Sequence, residues 1–359
     1  MSSNVQKLVT AVLGAERAVW LFNAMEVDAS LLGLAEHANA ALVSRAELAQ
    51  ALNMVLFSDL LTRVPEGARY VDDAVRSGRK IVFDHGALRT VLSSPVLANQ
   101  VANPIGDSRN LLPAGHLAFD RILKPLGFVI GGLYPLPRLK MTGYVYTHAD
   151  LPDDIAQFFV SELHVEQFSA AVARAVANVV GNSPDPLCAD SIALISKLSD
   201  QKSLSVDEAL KLLPNLVKCF ARHHGEVHSA DYDLLLEESA EMAWICTEGN
   251  AYNHVTDRVS DVFALTTEQH KLGRSIKEAV EVSANGRVRQ TAFKAAQVER
   301  RMIDAEGRVI TRTVPGSFYE FISRDQYLDD AAGDWKLDLT FDSSNATGIF
   351  KMTDTAKVA

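Results

Sequence analysis

A chain of 359 residues with 48% hydrophobic and 22% charged residues can bury a large core in one domain or two. Its formal net charge of −10 argues against a nucleic-acid role, which usually shows a basic surface. The three cysteines, Cys188, Cys219 and Cys246, are sparse and odd in number. That fits reduced thiols in the cytoplasm better than a disulfide framework. No apolar run approaches the roughly 20 residues that span a bilayer, and Glu16 and Arg17 cut short the apolar run after Lys7, so no signal-peptide pattern forms.

In chain order, residues 1–79 read as helical. Ser44 with Glu47 three residues on is a capping box, and Leu48, Leu52, Val55 and Leu60 follow at near-helical spacing. Residues 80–164 read as a first strand-rich module. Lys80 to Phe83 lead into His85, and β-branched and aromatic residues broken by Gly and Pro over 127–147 predict a strand pair. Residues 165–249 read as a helical insertion. Ser205 and Glu208 form a second capping box, Pro214 is expected to bend or split the helix that follows, and 231–247 is expected to be one further helix. Residues 250–359 read as a second strand-rich module, with turns at Asn285-Gly286, Glu306-Gly307 and Pro315-Gly316. These turns predict an antiparallel meander with Glu320 on its last strand. The fold class is α+β, and the modules are expected to form one compact metal-binding unit.

One short pattern occurs twice. Phe83-Asp84-His85 runs on to Arg89-Thr90-Val91, and Tyr252-Asn253-His254 runs on to Arg258-Val259. Glu320 follows in a strand-like stretch between Phe318 and Ile322. These neighbours share its strand parity, and an apolar face is a costly place for a carboxylate unless it is paired or bound to metal. Two imidazoles and one carboxylate on separate strands can fill one face of a divalent ion and leave the other open, the ligand set of a non-haem Fe(II) oxygenase. Mn(II), Ni(II) and Zn(II) accept the same donors. Each histidine alone reads first as an ordinary hydrogen-bonded surface or core residue; the repeated context sets these two apart.

Arg89 is four residues past His85, where a guanidinium can clamp a substrate carboxylate or form a surface ion pair. Gln290 can hydrogen-bond a substrate oxygen or face solvent. His224 and His228 form a competing pair at metal-binding helical spacing, weakened by Gly225. The basic series from Arg287 to Arg312 is interrupted by Glu299, Asp304 and Glu306 and reads as a solvated hairpin face.

The segments Asp84–Val91, Gly249–His254, Arg289–Lys294 and Gly316–Arg324 resemble the 2-oxoadipate dioxygenase/decarboxylase (hydroxyglutarate synthase) family of the vicinal oxygen chelate superfamily. The resemblance implies a curved antiparallel sheet of two βαβββ-type modules with N-terminal helices and a large helical insertion. It implies Fe(II) held by His85, His254 and Glu320, and a substrate held by Arg89, with Ser344 and Asn345 in a nearby small-residue stretch. The implied reaction consumes a 2-oxo acid and O2, most directly 2-oxoadipate, to give 2-hydroxyglutarate and CO2, as in lysine catabolism. The alternatives are a glyoxalase-type isomerase or hydrolase on the same ligands, and a non-catalytic small-molecule binding protein.

Overall fold

The structure is a computed structural model, and it describes residues 3–33, 42–92, 111–329 and 333–341. Ser344 and Asn345 lie outside the described residues.

The N-terminal helices are α1 (Asn4–Leu13), α2 (Ala15–Ala24), α3 (Arg45–Arg63) and α4 (Pro65–Arg76). The expected capping box opens α3, where the Ser44 hydroxyl accepts from the Glu47 amide and the Glu47 carboxylate accepts from the Ser44 amide. Nearly every residue of α3 from Ala46 to Leu61 is buried, because it lies between the other helices and one face of the main sheet.

The main sheet has eight strands. They are β1 (Phe83–Leu92), β2 (Phe128–Leu136), β3 (Met141–His148), β4 (Gln157–His164), β5 (Tyr252–Arg258), β6 (Glu281–Val282), β7 (Val288–Ala292) and β8 (Phe318–Arg324). Their spatial order is β2-β3-β4-β1-β5-β8-β7-β6. The first four strands and the last four repeat one plan. In each half the first strand lies at the centre, a helix follows, α5 (Leu117–Leu123) or α11 (Val262–Lys271), and three antiparallel strands return to pair with it. The last strand of each half runs parallel to the first: β4 pairs with β1, and β8 with β5. The halves meet where β1 and β5 pair antiparallel. This is the expected pair of βαβββ modules, with one parallel pairing in each. The central strands are buried on both faces, so simple polar–apolar alternation is lost there.

Between the halves lie α6 (Ala170–Val180), α7 (Ala189–Gln201), α8 (Val206–Lys218), α9 (Ser229–Glu238) and α10 (Ala240–Glu248). Two expectations change here. Helix α8 runs through Pro214 unbroken; the proline removes one amide donor without ending the helix. The helix expected over 231–247 is two, separated at Ser239, which is extended and caps α10 by accepting from the Met242 amide. A serine that bonds neighbouring backbone competes with helix continuation.

A third expectation changes in the second half. The hairpin Gln297–Ile303/Val309–Pro315 leaves the main sheet and forms a separate sheet with Val227–His228. Glu320 therefore sits on a strand flanked by β5 and β7 rather than at the end of a meander. Turn residues fix a hairpin but carry no information about which sheet receives it. Among the described residues no helix is long and apolar enough to cross a membrane.

Candidate metal centre

Tyr319 and Phe321 on β8 pack against Tyr70 of α4, and Phe83 on β1 against Phe57 of α3. Residues of opposite parity therefore face away from these helices, and Glu320 is one of them. Register places its neighbours: Glu320 pairs with Thr256, Phe318 with His254, and Ala87 with His254.

Two bulges shape the site. Along β1 the pairing moves from Phe83↔Asp257 to His85↔Thr256, which leaves Asp84 as an extra residue. Regular alternation would send Asp84 and His85 to opposite faces; the bulge brings them to one side. The Asp84 carboxylate accepts from His85 Nδ1 at 2.8 Å. Along β5 the pairing moves from Ala87↔His254 to Leu88↔Tyr252, which makes Asn253 the extra residue. Tyr252 is thereby turned toward the helices, with its hydroxyl 3.5 Å from Asn53 Oδ1. Its ring fills the space over Gly86, where a Cβ would come within 2.3 Å of Tyr252 Cζ.

The result is convergence. One donor atom from each of His85, His254 and Glu320 lies within 4.8 Å of the other two, and this is the one such group among the described residues. His254 Nε2 is 3.4 Å from His85 Nε2 and 3.2 Å from Glu320 Oε2. The latter contact lacks hydrogen-bond geometry, and both Glu320 oxygens are buried without a hydrogen-bond partner among the described residues. Burial pushes the Glu320 carboxyl well above the usual carboxylate range, with Glu281 adding to the effect and Lys277 opposing it. Burial also holds His254 well below the usual imidazole range, reinforced by the His85 and Arg89 charges. His85 is lowered by burial too, against the opposing pull of Asp84. Neutral imidazoles beside an uncompensated carboxylate are a donor set that fits a divalent cation, which would supply the positive charge the site lacks.

The supports differ between the two histidines. His85 is oriented by Asp84, which is itself held by Arg324: Nε and Nη2 reach the carboxylate at 2.9–3.1 Å. Arg324 Nη1 also donates to the carbonyls of Asp338 and Thr340, both at 2.8 Å. Burial would raise Asp84; the Arg324 charge and the His85 hydrogen bond outweigh it and keep Asp84 ionised. His254 stacks on Phe318 with centroids 4.7 Å apart, and its Nδ1 has no hydrogen-bond partner among the described residues.

The repeat is not symmetric. Glu320 occupies the register position two residues past the partner of His254; the corresponding residue of the first half is Phe159, two past Gln157, the partner of His85. A phenylalanine cannot ligate. Three donors therefore come from one side, and the side of β4 is left without one.

Arg89 shares the face of His85 and is fully buried, with Cζ 5.0 Å above the Trp244 ring. Burial lowers its guanidinium to about 10, with Glu241 opposing the shift. Gln290 lies on β7 with the parity of Ala292, the partner of Glu320, and its Nε2 donates to Glu281 Oε2 at 3.4 Å. The competing histidine pair does not converge: the ring nitrogens of His224 face the carbonyls of Gly225 and Ile245, and His228 is exposed.

Comparison with known proteins gives the family and the fold. Residues 113–351 match the family described as 2-oxoadipate dioxygenase/decarboxylase. The chain belongs to that family. The match includes His254 and Glu320 but begins downstream of Asp84, His85 and Arg89, whose place rests on the geometry. A chloroplastic 2-oxoadipate dioxygenase/decarboxylase of Arabidopsis thaliana is 26% identical over 229 residues, and the match spans 58% of its length and 58% of this chain. A structure from Ralstonia eutropha JMP134, provisionally assigned to the glyoxalase superfamily, is 49% identical with a TM-score of 0.84, over 94% of this chain and 98% of that one. The hydroxyglutarate synthase of Oryza sativa, solved with 2-oxoadipate, shares the fold at 17% identity and a TM-score of 0.62, over 87% of this chain and 93% of that one.

Proposed function

We propose that this family member is an Fe(II)-dependent dioxygenase that converts 2-oxoadipate and O2 to 2-hydroxyglutarate and CO2. The observation that carries this reading is the convergence of His85, His254 and Glu320 in a chain of this family, with no fourth donor at Phe159. Both oxygen atoms of O2 end in products, so the reaction balances without a second oxo acid.

When bound, ferrous iron would supply the redox chemistry by which O2 attacks a 2-oxo acid held in the open half of the coordination sphere. The chain's own residues do the rest. Asp84 fixes the His85 tautomer with its proton on Nδ1, so that Nε2 is the acceptor facing the site, where it takes the Thr256 hydroxyl at 3.1 Å until an ion displaces it. Buried Ala87 and Phe318, with the half-buried Phe341 ring against His85, would limit water at the reacting carbon. Arg89, four strand residues from His85, stands about 13 Å along β1, a spacing that suits a ligand with a carboxylate at each end. Gln290 is a further candidate to orient the ligand on the Glu320 side.

The test is anaerobic loading with Fe(II), followed by 2-oxoadipate and labelled O2. One O2 consumed and one CO2 released per 2-oxoadipate, with label in the five-carbon product, is the expected result. Metal-loaded protein that consumes no O2 with any 2-oxo acid would defeat the proposal, and turnover independent of O2 on Zn(II) or Ni(II) would replace it with a glyoxalase-type activity.

A further inference from the structure

Gln157 opens β4 and is the register partner of His85 in the parallel β1/β4 pair. Register partners project to the same face, so its side chain stands beside the ligand histidine, on the side of the sheet that supplies no donor. It is 2% exposed. Its Nε2 donates to Thr147 Oγ1 at 2.8 Å, and its Oε1 is buried with no hydrogen-bond partner among the described residues. A buried amide oxygen left unpaired costs about 1–3 kcal/mol. This amide is pinned at one end and bare at the other.

We infer that Gln157 is a ligand-positioning residue, whose free amide end hydrogen-bonds the oxygen-bearing group occupying the open coordination positions beside His85. The inference rests on the proposed function for the class of that ligand, a 2-oxo acid bound through its carboxylate end.

The amide can serve in either orientation. Oxygen and nitrogen of a glutamine exchange places by a half-turn, and a threonine hydroxyl both donates and accepts. With Oε1 toward the site, Gln157 accepts from a bound water. After the half-turn, Thr147 donates to Oε1 and Nε2 donates to a carboxylate oxygen, which can only accept. The Gln157–Thr147 pair thus suits the site with water and with a carboxylate ligand, without any change of backbone. Its counterpart in the second half, Phe318, is apolar and stacks on His254. The polar residue is found only on the open side.

The test uses Co(II)-loaded protein under anaerobic conditions, with ligand binding followed by the visible Co(II) bands. Oxalate is the probe, being the smallest bidentate carboxylate, and 2-oxoadipate is the second ligand. Gln157→Leu keeps the volume and removes the hydrogen bond. It should weaken oxalate and 2-oxoadipate by about 10-fold, the equivalent of one hydrogen bond to a charged group, and leave Co(II) affinity unchanged. It should not lower the melting temperature, since it removes an unpaired buried group. Thr147→Val, which frees the amide without deleting it, should weaken both ligands by a smaller factor. Unchanged ligand affinity in Gln157→Leu would overturn the inference. So would loss of Co(II) affinity in step with ligand affinity, which would place the effect on His85. A wild-type protein whose Co(II) bands ignore oxalate would instead overturn the open-site reading itself, and the inference with it.

Discussion

Asp84 and His85 are consecutive residues of one strand, yet their side chains meet at 2.8 Å, Oδ1 to Nδ1. The bulge in β1 permits this, and it gives the first histidine a support that the second lacks among the described residues. Asp84→Asn keeps one acceptor oxygen but leaves the buried Arg324 guanidinium without its counter-charge, so the variant should be less stable, by about 3–5 kcal/mol. It should weaken divalent-metal affinity by about 10- to 100-fold, the usual cost of losing a carboxylate behind a histidine ligand. Competition against a chromophoric chelator measures it; affinity within twofold of wild type would show that Asp84 is not what orients His85.

Glu320 gives a sign test for the metal site that needs no substrate. Its carboxyl group is fully buried and both oxygens lack a hydrogen-bond partner among the described residues. Such a group destabilises the metal-free protein. Glu320→Met should therefore be more stable than wild type in the presence of a chelator, by about 1–3 kcal/mol. Divalent metal should stabilise wild type by about 2.7 kcal/mol at 100 times the dissociation constant, raising its melting temperature, and leave the variant unmoved. Thermal unfolding with and without metal checks both; a variant less stable than wild type in chelator would refute the argument.

The convergence of the two histidines was legible in the sequence because a duplicated fold duplicates its local context: aromatic, Asp or Asn, then His at the start of each half. Glu320 was legible because Phe318 and Ile322 made its face apolar. The residues around them were harder to read. Asp84 stood next to His85 in plain view, but alternation assigns neighbours to opposite faces, and a bulge leaves no mark in composition. Arg324 shares the parity of Glu320, so strand periodicity alone could have placed it on the site face. Gln157 gave no signal, because β4 was not recognised as a strand: its buried polar residues Gln157, Ser161 and Glu162 mask its periodicity. The hairpin over 297–315 was read correctly as a hairpin and put in the wrong sheet, since its partner Val227–His228 is a two-residue strand some seventy positions away.

A buried acid on the other face of the sheet makes stability depend on pH. Asp257 accepts from Tyr70 Oη at 2.7 Å, Arg79 Nη1 at 3.1 Å and the Val82 amide at 3.0 Å. Burial nevertheless raises its pKa from 3.8 to about 6, despite the opposing Arg79 charge. The folded state thus holds this proton more tightly than the unfolded chain. Its contribution is fully present below about pH 4 and is lost as pH rises through about 6, a change of roughly 3 kcal/mol. Asp257→Asn cannot titrate. It should be less stable near pH 4, having lost one acceptor, and its deficit against wild type should shrink as pH rises to 6. Urea unfolding of both proteins across that range tests it; a deficit independent of pH would show that Asp257 does not titrate there.

On the proposed reading, Arg89 holds the far carboxylate of the ligand. It lies fully buried over Trp244, on the face and strand of His85. A guanidinium binds a carboxylate through two parallel hydrogen bonds, and a lysine ammonium cannot reproduce that fork. Losing one side of a buried charge pair costs about 2–5 kcal/mol, roughly 30- to 4,000-fold. Arg89→Met should therefore lower kcat/KM for 2-oxoadipate by two to three powers of ten, while a 2-oxo acid of the same length without the distal carboxylate changes little. Arg89→Lys should recover only part of the loss. Metal affinity should stay close to that of wild type in both variants, because Arg89 is not a ligand. Equal losses on the two substrates would mean that Arg89 supports the structure of the site and does not read the far end of the ligand.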